Sequence, residues 1–216
     1  GLYYITKGRK GTETEKVRGE GLIFYSAEEV NIAYNEGKID LHAIIKVKVN
    51  DRVDGEFVNH IIETTVGRVI FNQYVPEEVG FINEILTKKS LRDIIGRVLK
   101  LSGMAKTADF LDAIKNLGFY SAFKGGLSFN LDDVIIPEEK TKFVAEGYEQ
   151  VEEVLNNYSM GFITNNERYN QIIDIWTHVN ARLTQSLMKQ LSNDKQGFNS
   201  VYMMLDSGAR GSKEQI

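Results

Sequence analysis

PEEKTKFVAEGYEQVEEVLNNYSMGFITNNERYNQIIDIWTHVNARLTQSLMKQLS, residues 137–192, sets the architecture. Val144, Tyr148, Val151, Leu155 and Tyr158 recur at intervals of four, three, four and three, the seam of a helix that pairs with another. The run breaks at SMGFIT. There Gly161 suits the residue just past a helix C-terminus, and Thr164 with Glu167 forms a capping box for a second helix. Tyr169, Ile172, Trp176, Val179, Leu183 and Leu187 then carry the seam back. Two long helices joined by so short a turn are antiparallel neighbours. At about 1.5 Å per residue each arm spans roughly 34 Å, too long for so narrow a seam to be covered on every side, and the hairpin is expected to project. The first arm bears Glu138, Glu139, Glu146, Glu149, Glu152 and Glu153 against Lys140 and Lys142, which by itself reads as a solvated acidic face.

Upstream, Leu2 to Thr6 is a β-type run with no preceding cap or turn, as if the chain were cut into mid-element. Leu22 to Tyr25 forms a short strand, and Ser26 with Glu29 caps a helix through Val30, Ala33 and Tyr34 that stops at Gly37. Leu41, Ala43, Ile45, Val47 and Val49 alternate with His42, Lys46 and Lys48, a half-buried strand. Asn50 to Glu56 turns, and Phe57 to Thr65 returns as the hairpin partner. The nearly continuous apolar run in ETTVGRVIFNQYVP leaves strand and short helix both open. Thr87 or Ser90 caps a helix with Leu91, Ile94, Ile95 and Val98 on one face, and Phe110, Leu111, Ile114 and Leu117 mark another that ends at Gly118 and packs on it. The fold class is α+β: a small mixed β region, packed helices and a long antiparallel helical hairpin. Three regions are expected, residues 1–136, the hairpin 137–192, and 193–216.

The composition narrows the chemistry. The chain has 216 residues, 42% hydrophobic and 26% charged, enough apolar content for a sizeable core. It has no cysteine, which removes disulfides and thiolate metal sites and fits a reducing, cytoplasmic compartment. No apolar run reaches the length of a membrane span, and GLYYITKGRK has no signal-peptide core. A net charge of −4 argues against a free-standing nucleic-acid binder, so any such role is borrowed from partners. His42, His60 and His178 lie apart from one another and from acidic ligand patterns, and Asp132 and Asp133 before VIIP read as a turn; no metal site is expected. GARGSK lacks the Gly-Lys-Ser/Thr ending of a phosphate loop.

The end of the chain, FNSVYMMLDSGARGSKEQI at 198–216, carries the sharpest signal. Asn199 can cap a helix with Val201, Met203 and Met204 on its apolar side, while Gly208 and Gly211 are costly within one. Asn199 to about Leu205 is therefore expected to be anchored and Ser207 onward to fray. YMMLDSGARGSKEQI closely resembles the start of the bridge helix of the bacterial RNA polymerase beta-prime family. GEGLIFYSAEEVNIAY, DLHAIIKV, ETTVGRVIFN, LTKKSLRDIIGRV, TADFLDAIKNLGF and GGLSFNLDDVIIPEEK resemble that family between the catalytic metal motif and the bridge helix, so the likeness covers essentially the whole chain.

The resemblance implies an excised piece of a DNA-directed RNA polymerase, a nucleotidyltransferase, and not a complete enzyme. It places Met204, Asp206, Ser207, Gly208, Arg210 and Gly211 on the bridge helix near the reaction centre, with no catalytic residue in the chain itself. The aspartates that hold catalytic magnesium would lie upstream of Gly1. It makes residues 1–136 part of the nucleotide-entry secondary channel and the hairpin its rim, where regulatory factors dock on Glu149, Glu152, Glu153, Tyr169 and Asn170. Arg182, in NARLTQSLM, matches an arginine that approaches the nucleotide triphosphate, a partner suited to a guanidinium. Implied partners are the beta, alpha, omega and sigma subunits, secondary-channel factors, and DNA and RNA in the assembled enzyme; no membrane is involved. The sequence departs from proteobacterial relatives at Tyr169-Asn170-Gln171, where they carry Tyr-Asn-Lys at an alarmone site. The competing class is a free-standing adaptor whose acidic hairpin binds a protein.

Overall fold

Alternation in residues 43–49 fixes the sheet. In the computed structural model, which describes residues 1–13, 15–53 and 56–211, Ala43, Ile45, Val47 and Val49 are buried while Lys46 and Lys48 are exposed. All but Ala43, which immediately precedes it, belong to β2 (Ile44–Val53), which pairs antiparallel with β3 (Glu56–Thr65) from Ile44↔Thr65 to Val53↔Glu56. The strands are thus longer than the sequence suggested: Asn50 to Val53 and Glu56, expected to turn, are in the ladder, and residues 54–55 lie outside the described residues. A two-residue β1 (Ile23–Phe24) runs parallel to β2, giving the order β1-β2-β3.

The chain divides into two units, residues 1–128 with 206–209, and residues 129–205 with 210–216. In the first, the run Leu2–Thr6 is a helix, α1, and not a strand. A short apolar run has no period that distinguishes the two, and the helical turn buries Tyr3, Ile5 and Thr6 together. Thr6 Oγ1 sits deep in the unit, donating to Leu2 O at 2.9 Å and accepting from Leu86 N at 3.0 Å. Helix α2 (Ala27–Asn35) starts at Ser26, whose side chain accepts from Glu29 N. The open stretch resolves into α3 (Val66–Asn72), because Thr65 leaves β3 and its hydroxyl accepts from Arg68 N.

Lys88–Gly125 forms α4, capped by a reciprocal Thr87 and Ser90 box and interrupted at Gly103, where φ is 79°. The expected stop at Gly118 is not one. Helix α4 passes through Gly118, whose bare backbone faces the Leu2 side chain, and ends at Gly126. The two halves of α4 share one core, in which Ile94, Val98, Phe110 and Ile114 pack with Ile5 and Phe71. A second core gathers Val30, Ile39, Ala43, Ile45, Val47, Val66 and Val69 between the sheet and α2 and α3.

The second unit is built on the helical hairpin, α5 (Lys140–Ser159) and α6 (Asn165–Asn193). Its caps fall at Gly161 and Thr164 as the sequence indicates, with Glu167 Oε2 accepting from Thr164 N at 2.7 Å. The seam, however, is rotated by about one residue on α5. Gly147 and Val154 are buried, whereas Tyr148, Leu155 and Tyr158 are exposed. The facing helix sets this: a Cβ at position 147 would meet Val179 at 3.1 Å and the Trp176 ring at 3.3 Å, and Tyr148 flanks that ring edge-on, 5.1 Å between ring centres. Val179, Leu187 and Leu191 complete the buried line on α6. After a tight turn, α7 (Ser200–Asp206) follows.

Candidate functional site

Asn199 begins the terminal site. Fully buried, it accepts from Val201 N at 3.0 Å and Tyr202 N at 3.2 Å through Oδ1, and its Nδ2 donates to Asp133 O at 2.8 Å and the Asp194 carboxylate at 2.9 Å. This clasp caps α7 and ties it to the loop before the hairpin. Asp133, read from the sequence as part of a turn, does close one: its carboxylate accepts from Asn130 N and pairs with Lys195 at 3.1 Å. The Asn130 backbone bond, then Lys195, hold its pKa below the usual carboxylate range.

Met204 is half-buried on α7, and Asp206 is the last helical residue. Ser207, Gly208, Arg210 and Gly211 therefore lie in the turn beyond the helix, with φ of 73° at Gly208 and 81° at Gly211. The helix accordingly occupies the stretch expected to be anchored, and residues 212–216 lie outside the described residues. Within the first unit, Tyr3 Oη donates to Asp206 Oδ2 at 2.6 Å, Lys7 Nζ donates to Tyr3 Oη at 3.3 Å, and Ser207 O accepts from Lys88 N at 2.8 Å. Burial pushes the Lys7 pKa down and the Asp206 charge partly restores it. Tyr3 and Lys7 were missed by sequence reasoning, because the strand reading gave no reason to bring residue 3 to residue 206.

On the hairpin, Arg182 is already engaged. Its Nη1 donates to Glu146 Oε2 at 2.9 Å, and its guanidinium lies over the Phe143 ring, 4.2 Å from the centre. Glu149, Glu152, Glu153, Tyr169 and Asn170 are all exposed. Glu153 borders a groove of about 400 Å³ between α5 and α6 with Gln171, Asp174 and His178. Among the described residues no hydrogen bond or ion pair joins the three glutamates to Tyr169 or Asn170, so the structure presents these side chains to solvent as two sets.

Among the described residues no three His, Asp or Glu side chains converge, and the Asp133 carboxylate is taken up by Asn130 and Lys195. No described helix is long and apolar enough to cross a membrane.

Residues 1–134 match the family model RNA polymerase Rpb1, domain 3, and residues 163–216 match RNA polymerase Rpb1, domain 4. The chain belongs to the RNA polymerase Rpb1 family. Its full-length similarity is to proteins named DNA-directed RNA polymerase subunit beta': 67% identity in Bacteroides fragilis, 64% in Parabacteroides distasonis and 60% in Flavobacterium johnsoniae. Each alignment covers 100% of this chain and 15% of the relative, so the chain spans about a seventh of the length of the proteins it matches.

Proposed function

We propose that this chain works within DNA-directed RNA polymerase as a stretch of the beta-prime subunit, in DNA-templated synthesis of RNA in the cytoplasm. Residues 1–136 line the secondary channel by which nucleotides enter, the hairpin 137–192 is its rim and a docking arm for regulatory factors, and α7 with the turn after it begins the bridge helix beside the reaction centre. The observation that carries this reading is the 67% identity over the whole chain to a beta-prime subunit. In this reading beta, alpha, omega and sigma subunits, with DNA and RNA, are partners in the assembly, and catalytic magnesium is held by residues outside this chain.

In this reading each part has a mechanism. Asp206 is fastened through Tyr3, and Ser207 through the Lys88 amide, which ties residues 206 and 207 to α1 and α4 within the first unit. Arg182 exchanges Glu146 for a triphosphate, a denser anionic partner for the same fork. The exposed Glu149, Glu152 and Glu153 offer a rigid acidic helix face to a basic factor surface.

The test is made in the assembled enzyme. Deleting residues 200–211 from the beta-prime subunit is expected to abolish templated RNA synthesis, and unchanged synthesis by an assembled deletion enzyme overturns the assignment. Charge reversal at Glu149, Glu152 and Glu153 is expected to weaken binding of a transcript-cleavage factor, and unchanged affinity removes the docking role. The 216-residue chain alone, given template, nucleotides and magnesium, is expected to incorporate nothing.

A further inference from the structure

The first unit encloses an open cavity of about 560 Å³, the size of small-molecule sites, which the polymerase reading leaves unused. Its apolar lining includes Ile39, Leu41, Ile70 and Leu117, and its rim carries four cations, Arg9, Lys16, Arg18 and Lys124, against two carboxylates, Glu15 and Asp40. Both carboxylates are already engaged. Glu15 pairs with Arg9, and Asp40 accepts from Arg18 N, Nε and Nη2 at 2.8, 3.1 and 2.8 Å, while Arg18 Nη1 donates to Gly37 O at 3.1 Å. Lys16 and Lys124 pair with no carboxylate among the described residues.

Lys124 is held in an unusual way. Its ammonium stands 5.3 Å from the Tyr34 ring centre and 5.6 Å from that of Tyr120, so two aromatic rings on α2 and α4, themselves lining the cavity, hold one cation of that lining. Hydrogen bonding to Tyr120, then to Tyr34, pushes its pKa up, and it stays charged at neutral pH. A rim with surplus positive charge above an apolar and aromatic lining matches a ligand with the opposite polarity at one end and a flat apolar body at the other.

We propose that this cavity binds a small aromatic anion, its phosphate, sulfate or carboxylate group on Lys124 between Tyr34 and Tyr120 and its ring system against Ile39 and Leu117. The site is independent of the polymerase assignment, and its failure leaves that assignment standing.

The probe is 1-naphthyl phosphate, titrated into the 216-residue chain while backbone amides are followed by NMR. Saturable shifts are expected at Gly37, Leu117, Ser121 and Lys124. Lys124→Gln, an exposed substitution whose folding is checked by circular dichroism, is expected to weaken binding by about tenfold, the loss of one charge-assisted contact. Lys16→Gln is expected to weaken it less, and Lys100→Gln, an exposed cation outside the cavity, not at all. 1-Naphthol and inorganic phosphate each keep half of the recognition and are expected to bind more weakly than the probe. The proposal is overturned by absence of saturable shifts, by shifts scattered over exposed lysines, by equal affinity in Lys124→Gln, or by inorganic phosphate binding as tightly as the probe.

Discussion

The sheet unit and the hairpin are held in different ways. In the sheet unit, residues far apart in sequence meet in two cores: Ile5 packs with Phe71 and Phe110 in one, Phe24 with Val47 and Val66 in the other. In the hairpin, two helices of 20 and 29 residues bury only Gly147, Val154, Val179, Leu187 and Leu191. Its definition comes instead from caps at both sides of the turn, which act over three residues and need no partner elsewhere. A fold of the first kind fails through its contacts, and one of the second kind loosens through its ends.

The hardest blow to the sheet unit is Gly67→Ala. A Cβ there would collide with the Ile5 carbonyl, both backbone groups, so α1 must leave its seat. Destabilisation of roughly 3 kcal/mol is expected, the upper part of the range for overpacking, read as a lowered denaturant midpoint. A change under about 1 kcal/mol would mean that α1 is not integral to the core. In the hairpin, Leu187→Ala is expected to cost about 2 kcal/mol, the low end for such a truncation, because a two-helix seam can close over the gap. A cost as large as that of Gly67→Ala would erase the contrast between the units.

Thr164→Ala removes the cap hydroxyl that accepts from Glu167 N and is expected to cost about 1 kcal/mol. Its signature is local. Amide exchange should speed up near residues 164–168 and stay unchanged in β2 and β3.

The smallest effect separates the units by acidity. Burial lowers the His42 pKa, the largest influence on it, so protonation favours the unfolded chain, and stability present above the unfolded value of about 6.5 is lost as pH falls below it. At the hairpin tip, hydrogen bonds from the Thr164 amide and hydroxyl lower the Glu167 pKa, so its contribution is present above about 4.3 and is lost as pH falls through the folded value. Amide exchange at pH 7.5 and pH 5.5 should loosen the surroundings of His42 and leave residues 164–168 unchanged apart from the intrinsic pH dependence of exchange. Loosening of the tip alone would reverse the assignment.

The same division governs what the sequence reveals. The caps at Ser26, Thr164 and Asn199 were legible, and that of α4 was narrowed to Thr87 or Ser90, because a side-chain oxygen and an amide three residues away lie within one window, and β2 was legible from its strict alternation. Leu2–Thr6 was misread because its conformation is decided by Gly67 and Leu86, far along the chain. The seam of α5 was misplaced because a glycine carries no apolar signal, and only Val179 and Trp176 on the facing helix, both within 3.3 Å of where its Cβ would stand, mark Gly147 as an inward position. At the candidate sites, the residue types of the α7 terminus were visible, while the Tyr3 to Asp206 bond and the Glu146 and Phe143 seat of Arg182 depend on tertiary contacts that no local spacing encodes.

Asn199 is followed by Ser200, a pair in which asparagine is prone to lose its amide nitrogen slowly when the side chain is free to turn toward the next peptide group. Here four hydrogen bonds hold that side chain still, and the clasp thereby acts as a preservative. Where it opens, the ageing product is an aspartate. The new carboxylate would keep the helix cap, lose both donors, and face the Asp133 carbonyl and the Asp194 carboxylate. Chemical wear at this position would then be recorded as a loosened α7.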